Sequence, residues 1–323
     1  MSTAALESRP LGRTGIEVTT ICVGTSPLAS MPRLYGYGVD EEQAVATVLA
    51  MFGSPITFLD TSNGYGEDGT AERRIGEAIR RSDGLPPHVV LATKVDPDPS
   101  TGDFSGARVR ASLEESFERL GVDHVPLLHL HDPERIPFEE GVAPGGAVEA
   151  LVALREEGLV DRIGVAGGPV ALLQQYLDTG AFDVVLSHNR YTLLDRSAEA
   201  MFRAAAERGL GVINAAPYGG GMLAKGPGVQ QQYAYGMGND AVRDAAVRMA
   251  AACERHGVPL PAAALQFSMR APFIDSTVVG VSSPERMDQT LALAATTVPD
   301  ELWDELEQAV PDHELWLDPG STG

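Results

Sequence analysis

Residues that can move a proton or hold a charge recur at the ends of apolar runs in this sequence. Asp60 closes "ITFLD", Lys94 closes "VVLATK", and His129 and His131 close "VPLLHLH"; Tyr65 follows Asp60 by five residues, between two glycines. A lysine on an apolar run is costly to bury without a carboxylate, and Asp60 on the preceding run is the partner on offer. A lysine cation near the Tyr65 phenol favours the phenolate and lowers a pKa that is ordinarily ~10. Such a tyrosine can give a proton to a carbonyl oxygen or take one from an alcohol near neutral pH. A histidine beside it would orient the substrate oxygen or relay the proton.

In "FLDTSNGYG", Asn63-Gly64 reads as a turn because both residues tolerate positive φ, and the turn would swing Tyr65 back toward Lys94. Any one of these polar residues could simply be hydrogen-bonded inside a fold. Aspartate, lysine and histidine ending three consecutive runs is harder to read that way. The two histidines, two residues apart, face the same side of a strand, so spacing leaves both in play. Paired histidines also suit a metal-dependent hydrolase. The first run, "TTICVGT", carries no histidine, however, and the last, "STVVGVS", no acid, so no metal is expected.

These residues need elements to hold them. Eight strand-like runs lie at 19–25, 56–62, 89–95, 125–131, 161–167, 183–189, 211–217 and 276–282. Between them stand helical patterns with apolar residues at spacings of three and four, several ending in glycine such as Gly121, Gly158 and Gly209. Strict alternation predicts parallel pairing, and eight units in about 300 residues favour an α/β fold closed as a (β/α)8 TIM barrel. A doubly wound sheet would usually show G-x-G-x-x-G after its first strand, where this chain reads "CVGTSPLAS". "RPLGRTGIEV" predicts an N-terminal β-hairpin turning at Arg13-Thr14-Gly15, ahead of the first strand and against the barrel's closed end. One domain over 1–323 is expected. Residues 218–239 are expected to form an extended, mobile, substrate-facing loop, and the tail beyond Pro311 is a second long connection.

The chain has 24 Lys and Arg against 45 Asp and Glu, a formal net charge of -21. Such a surface repels nucleic acid and anionic membranes, so neither is expected as a partner. No run reaches the ~18 apolar residues of a membrane span, and no signal-like core opens the chain. Cys22 and Cys253 read as buried free thiols, which fits the cytoplasm.

A second site is legible in "VVGVSSPERMDQT", residues 278–290: a strand, a loop, then a helix with Ser283 as N-cap and Pro284 in its first turn. Free amides at such a start bind phosphate, and Arg286 adds a guanidinium fork. Plain helix capping is the alternative.

Taken in order and spacing, "FLDTSNGYG", "TKV" and "HLHDP" resemble the aldo-keto reductase superfamily, over nearly the whole chain from 11–18 to the helix near 295. The resemblance implies a (β/α)8 barrel transferring hydride with NADP or NAD, and a small-molecule carbonyl or sugar substrate. It maps a catalytic set in which Asp60 holds Lys94, Lys94 polarises Tyr65, Tyr65 is the acid/base, and His131 assists, since His131 directly precedes Asp132-Pro133. His129 becomes a deeper neighbour. It also places the adenosine phosphate at Ser282, Ser283 and Arg286, with adenine at Gln289. Gly280 stands where many NADPH-specific members carry lysine. The serine and asparagine that hold the nicotinamide carboxamide are Ala166 and Gly167 here; the strand-six glutamine is His188, able to donate one bond. The tyrosine that stacks on nicotinamide is Ala215, with Tyr218 three residues on. "HNRYTLLDRSA" and "GVINAAPYGGGMLAKGP" resemble the branch of L-fucose and D-threo-aldose 1-dehydrogenases and pyridoxal 4-dehydrogenase. That branch implies oxidation of a ring hemiacetal to a lactone. General aldehyde or ketone reduction, a non-catalytic binding role and redox-neutral chemistry remain the alternative readings.

Overall fold

Period-two alternation along each strand decides the architecture. A computed structural model describes residues 6–321. Its strands are β1 (Ser8–Pro10), β2 (Glu17–Thr19), β3 (Ile21–Gly24), β4 (Phe58–Asp60), β5 (Val90–Val95), β6 (Val125–His131), β7 (Val160–Gly167), β8 (Val184–His188), β9 (Gly211–Ala215) and β10 (Ser276–Gly280). β3 to β10 close into a barrel in sequence order, all neighbours parallel, with β10 returning to β3. The eight expected runs are these eight strands: six are trimmed at their ends, β6 keeps its expected bounds and β7 begins one residue earlier.

One residue of each neighbouring pair faces inward and the other outward, as a pleated strand requires. Cys22, Phe58, Ala92, Leu127, Ala166, Val184, Ile213 and Val278 pack inside the barrel. Val23, Leu59, Leu91, Leu128, Val165, Val185, Val212 and Val279 pack against the surrounding helices. The barrel interior is thus an apolar core separate from the two clusters outside it.

The N-terminal hairpin forms where expected: β1 pairs antiparallel with β2 and the Leu11 N–H meets the Ile16 carbonyl at 2.8 Å. Leu11 and Val18 join the inner core and stopper the end of the barrel opposite the strands' carboxyl termini. Gly12, at φ 54°, lies so close to the Gly211 backbone that a side chain would collide with it.

The expected helices are present, with Gly121, Gly158 and Gly209 at positive φ just past their ends. Two further long helices, Leu260–Met269 and Asp300–Gln308, are not predicted by the sequence pattern. The first is apolar around most of its girth, burying Leu260, Ala262, Ala263, Ala264 and Leu265, so it has little of the one-sided period by which surface helices are read. The stretch 218–239 is the long connection expected, ordered locally by a short helix, Met222–Lys225, and a turn at Ala234–Gly236. Buried Tyr233 ties it down through its hydroxyl, 2.8 Å from the Asn189 carbonyl and 2.8 Å from Thr192 Oγ1. The tail also docks, through Arg190 Nε to Asp318 Oδ2 at 2.9 Å and the Leu317 N–H to Asp195 Oδ2 at 2.6 Å. Among the described residues no helix is long and apolar enough to cross a membrane.

Candidate active site

The strands' carboxyl ends carry the inward register past the apolar layer into polar side chains. Phe58 is followed two residues on by Asp60, Ala92 by Lys94, and Leu127 by His129 and then His131. Register sets their heights: Asp60 lies beside Ala92, Lys94 beside His129 and His131 beside Ala166. Each strand therefore lifts its polar residue one pleat above its neighbour's, and the set climbs around the barrel mouth.

Lys94 Nζ donates to Asp60 Oδ2 at 2.6 Å, to the Thr61 carbonyl at 2.7 Å and to the Tyr65 hydroxyl at 3.2 Å. Lys94 is 1% exposed and Asp60 3%, so the pair is dry and tolerable only because each charge has the other. The Tyr65 ring stands edge-on to His131, with centroids 5.5 Å apart at 81°. Asp60, Tyr65, Lys94 and His131 thus converge as expected.

Two expectations change. Tyr65 is not tuned downward: burial, then the charge of Asp60, pushes its phenol well above the usual tyrosine range, with Tyr35, Asp132 and Asp96 adding to it. The Lys94 contact does not reverse that direction, which favours the neutral phenol. The Asn63-Gly64 turn does form, with the Tyr65 N–H on the Ser62 carbonyl at 3.2 Å, yet neither residue takes positive φ. Gly64 is needed for space: a Cβ there would lie 2.7 Å from the Asp96 carboxylate.

His129 is fully buried, and both its ring nitrogens lack a hydrogen-bond partner among the described residues. It packs against Gly164, where any side chain would strike its ring, and burial followed by Lys94 keeps it neutral. His131 sits above it. Its Nδ1 is 2.7 Å from Asp96 Oδ1 and 2.9 Å from Ser62 Oγ, and its Nε2 is 3.7 Å from Asp132 Oδ1. Asp96, Ser62 and Asp132 received no role from the sequence. Ser62 and Asp96 sit one inward step beyond Asp60 and Lys94, the signal by which they are found.

The cofactor-side residues divide into two groups. His188 and Ala215 end β8 and β9. Burial drives His188 down to about 4, so its ring is neutral. Its Nδ1 takes the Asn189 side-chain amide at 3.1 Å, which leaves the proton on Nε2, free to donate as expected. Ala215 contributes its carbonyl, 3.1 Å from the Asn189 N–H, and no stacking ring. The space beside Gly167 is taken by Glu134, whose Oε2 lies 2.8 Å from where a Cβ would stand. Asp132, Glu134 and His188 bring donor atoms within 4.8 Å of one another. Arg135 already binds Asp132 and the Gly168 N–H binds Glu134, so they form a polar rim.

The second group lies beyond β10. Ser283 caps the helix Pro284–Ala294, its Oγ accepting from the Arg286 N–H at 3.3 Å, while Arg286 donates to Gln289 Oε1 at 3.1 Å. The Ser282 carbonyl is held by Gln43 at 2.8 Å. Gly280 is exposed, and a side chain there would press on the Pro27 ring at 3.0 Å. Among the described residues, the Tyr218 hydroxyl is buried and unpartnered within reach of the Arg286 charge, and Asn189 Oδ1 is likewise buried and unpartnered. A helix start with a guanidinium suits a phosphate, and an orphaned amide oxygen suits an N–H donor such as a carboxamide. These residues have the donor and acceptor types that a dinucleotide would need.

A family model described as "Aldo/keto reductase family" matches residues 20–311. The chain is 32% identical to a D-threo-aldose 1-dehydrogenase of a Pseudomonas species, over 91% of this chain and 95% of that protein. It is 33% identical to L-galactose dehydrogenase of Arabidopsis thaliana, over 89% and 88% of the two chains. To pyridoxal 4-dehydrogenase of Microbacterium luteolum it is 29% identical, over 94% and 97%. Its fold matches the holo form of the aldo-keto reductase AKR11C1 of Bacillus halodurans with a TM-score of 0.76 at 22% identity, covering 95% and 97%. With a closed barrel of the same form and this breadth of sequence match, the chain belongs to the aldo/keto reductase family, as an oxidoreductase that works with a nicotinamide cofactor.

Proposed function

We propose that the chain interconverts a cyclic hemiacetal of an aldose and its lactone, with Tyr65 moving the proton at the reacting oxygen. The observation that carries the reading is the buried Asp60–Lys94 pair bonded to half-buried Tyr65, whose ring stands edge-on to His131. The similarity to D-threo-aldose 1-dehydrogenase and L-galactose dehydrogenase supports the substrate class. When bound, the cofactor supplies or accepts the hydride at the carbon bearing that oxygen. His188, Asn189, Tyr218, Ser282, Ser283, Arg286 and Gln289 would hold it, and Gly280 leaves NADP and NAD both open.

In the oxidative direction the phenolate form of Tyr65 takes the proton of the anomeric hydroxyl, and in the reverse the neutral phenol returns it. Burial favours its neutral form, so oxidation is expected to accelerate as pH rises. The same neutral phenol is poised to donate, which favours a second reading: reduction of aldehydes or ketones near neutral pH. An aldose and aldehyde panel with both cofactors, at mildly acidic and mildly alkaline pH, separates the two. Lactone identified by mass spectrometry, with faster turnover at the higher pH, supports the first. Alcohol formed from aldehydes while every aldose stays inert replaces it with the second. Binding of cofactor with no turnover of any candidate defeats both.

A further inference from the structure

We propose that Asp96 is a positioning residue for His131: it fixes the proton on Nδ1 and aims Nε2 at the barrel mouth. The inference deepens the function proposed above and rests on it only for what the ring does to substrate.

The Asp96 carboxylate is built in from three sides. It accepts from the Gly64 N–H at 2.8 Å on Oδ2, from the Ser62 hydroxyl on the same oxygen, and meets His131 Nδ1 at 2.7 Å on Oδ1. Its backbone is fixed as well, the N–H by Ser112 Oγ at 3.0 Å and the carbonyl by Arg108 Nε at 3.1 Å. The side chain is buried, and Gly64 admits no Cβ against it. Nothing in this cluster is free to turn.

The bonds determine the tautomer. An ionised carboxylate only accepts, and the Ser62 hydroxyl spends its one proton on Asp96. His131 Nδ1 must therefore be the donor, and Nε2 is left for the mouth. When neutral, that nitrogen can accept from a substrate hydroxyl; when protonated, it can donate to a carbonyl oxygen or an alkoxide.

The titratable groups facing the ring come from several elements of the mouth. Asp96 lies past β5, Asp132 and Glu134 lie past β6, Lys94 is on β5, and neutral His188 on β8 reaches Asp132 Oδ1 from the far side at 3.9 Å. Tyr65 contributes a neutral ring edge and His129 a neutral ring below. Burial alone would lower the His131 pKa; Asp96 and then Asp132 outweigh it, and the pKa is raised overall. Burial would raise Asp96, but His131, Ser62 and the Gly64 N–H hold it well below the usual carboxylate range. One carboxylate behind the ring and one beside its outer nitrogen make a cradle for a cation.

The test reads the ring directly, so it does not depend on knowing the substrate. Imidazole 15N spectra of the full-length protein, with His131 assigned by loss of its signals in His131→Asn, are followed across pH. The wild type is expected to titrate above the ordinary ~6.5 and to carry the Nδ1–H tautomer when neutral. In Asp96→Asn the new amide presents N–H to Nδ1, so the tautomer should flip to Nε2–H and the midpoint should fall by about one unit or more. With an active substrate, kcat should drop while KM moves little, and the pH dependence of the rate should shift with the ring's midpoint. A wild-type ring in the Nε2–H form overturns the proposal even if the variant folds poorly. An unchanged midpoint and tautomer in Asp96→Asn overturns it also.

Discussion

The two ends of the site are built differently. At the proposed proton-transfer end, Asp60, Lys94, Ser62, Asp96 and His131 are buried and bonded to one another, with Tyr65 half-buried among them. At the proposed phosphate end, Arg286 and Gln289 are exposed and bonded chiefly to each other, and the nearby Tyr218 hydroxyl has no partner among the described residues. The difference follows from what each must do. Groups that act in a transition state are most effective when already oriented in a dry setting, with no reorganisation left at the moment of reaction. A surface that must release a charged ligand keeps its donors in water. Substitutions at one end should therefore reduce rate or fold, and at the other only affinity.

The largest break in that pattern is expected from Tyr65→Phe. It removes the one hydroxyl aimed from Lys94 into the mouth and leaves the ring against His131. Turnover should fall on the order of 10²–10⁴-fold, the usual contribution of a positioned acid or base, with melting temperature little changed. Wild-type kcat in the purified variant would remove Tyr65 from the mechanism. Asp60→Ala should strike both rate and fold. It leaves the Lys94 ammonium buried with only a carbonyl and a phenol, a loss of about 3–5 kcal/mol of stability for such a broken pair. Urea unfolding midpoints would show it. A loss under about 1 kcal/mol would mean the pair is far wetter than its burial indicates.

The same contrast explains what was legible in the sequence. The barrel could be read because parallel strands buried on both faces appear as short apolar runs between amphipathic helices. Asp60, Lys94 and His131 stood out because a charge ending an apolar run demands a partner. Ser62 and Asp96 went unassigned, though they keep the same inward parity one step past their strands, where the apolar runs have ended. The direction of the Tyr65 shift was not legible at all: it depends on how much water Tyr65 loses and how near Asp60, Tyr35 and Asp132 come, distances set by loops. Gly64 looked like a turn residue and is a clearance for Asp96. The helix Leu260–Met269 went unread because burial on most sides erases its period.

The smallest expected effect lies at the exposed end, and it sharpens the comparison most. Arg286 donates a hydrogen bond only to Gln289 among the described side chains, and its helix keeps its Ser283 cap without the guanidinium. Arg286→Ala should therefore unfold within about 0.5 kcal/mol of the wild type, as surface substitutions usually do. If the helix start holds a cofactor phosphate, losing one partly hydrated charge-assisted contact should weaken binding about tenfold, or roughly 1.4 kcal/mol. Cofactor fluorescence titration gives that number for NADPH and NADH separately, and saturating turnover should be unchanged. A fall in kcat at saturating cofactor would mean that the two ends are coupled through Tyr218, the buried hydroxyl that feels the Arg286 charge from the β9 side. Tyr218→Phe, tested alone and with Arg286→Ala, would then measure that coupling as a departure from additivity.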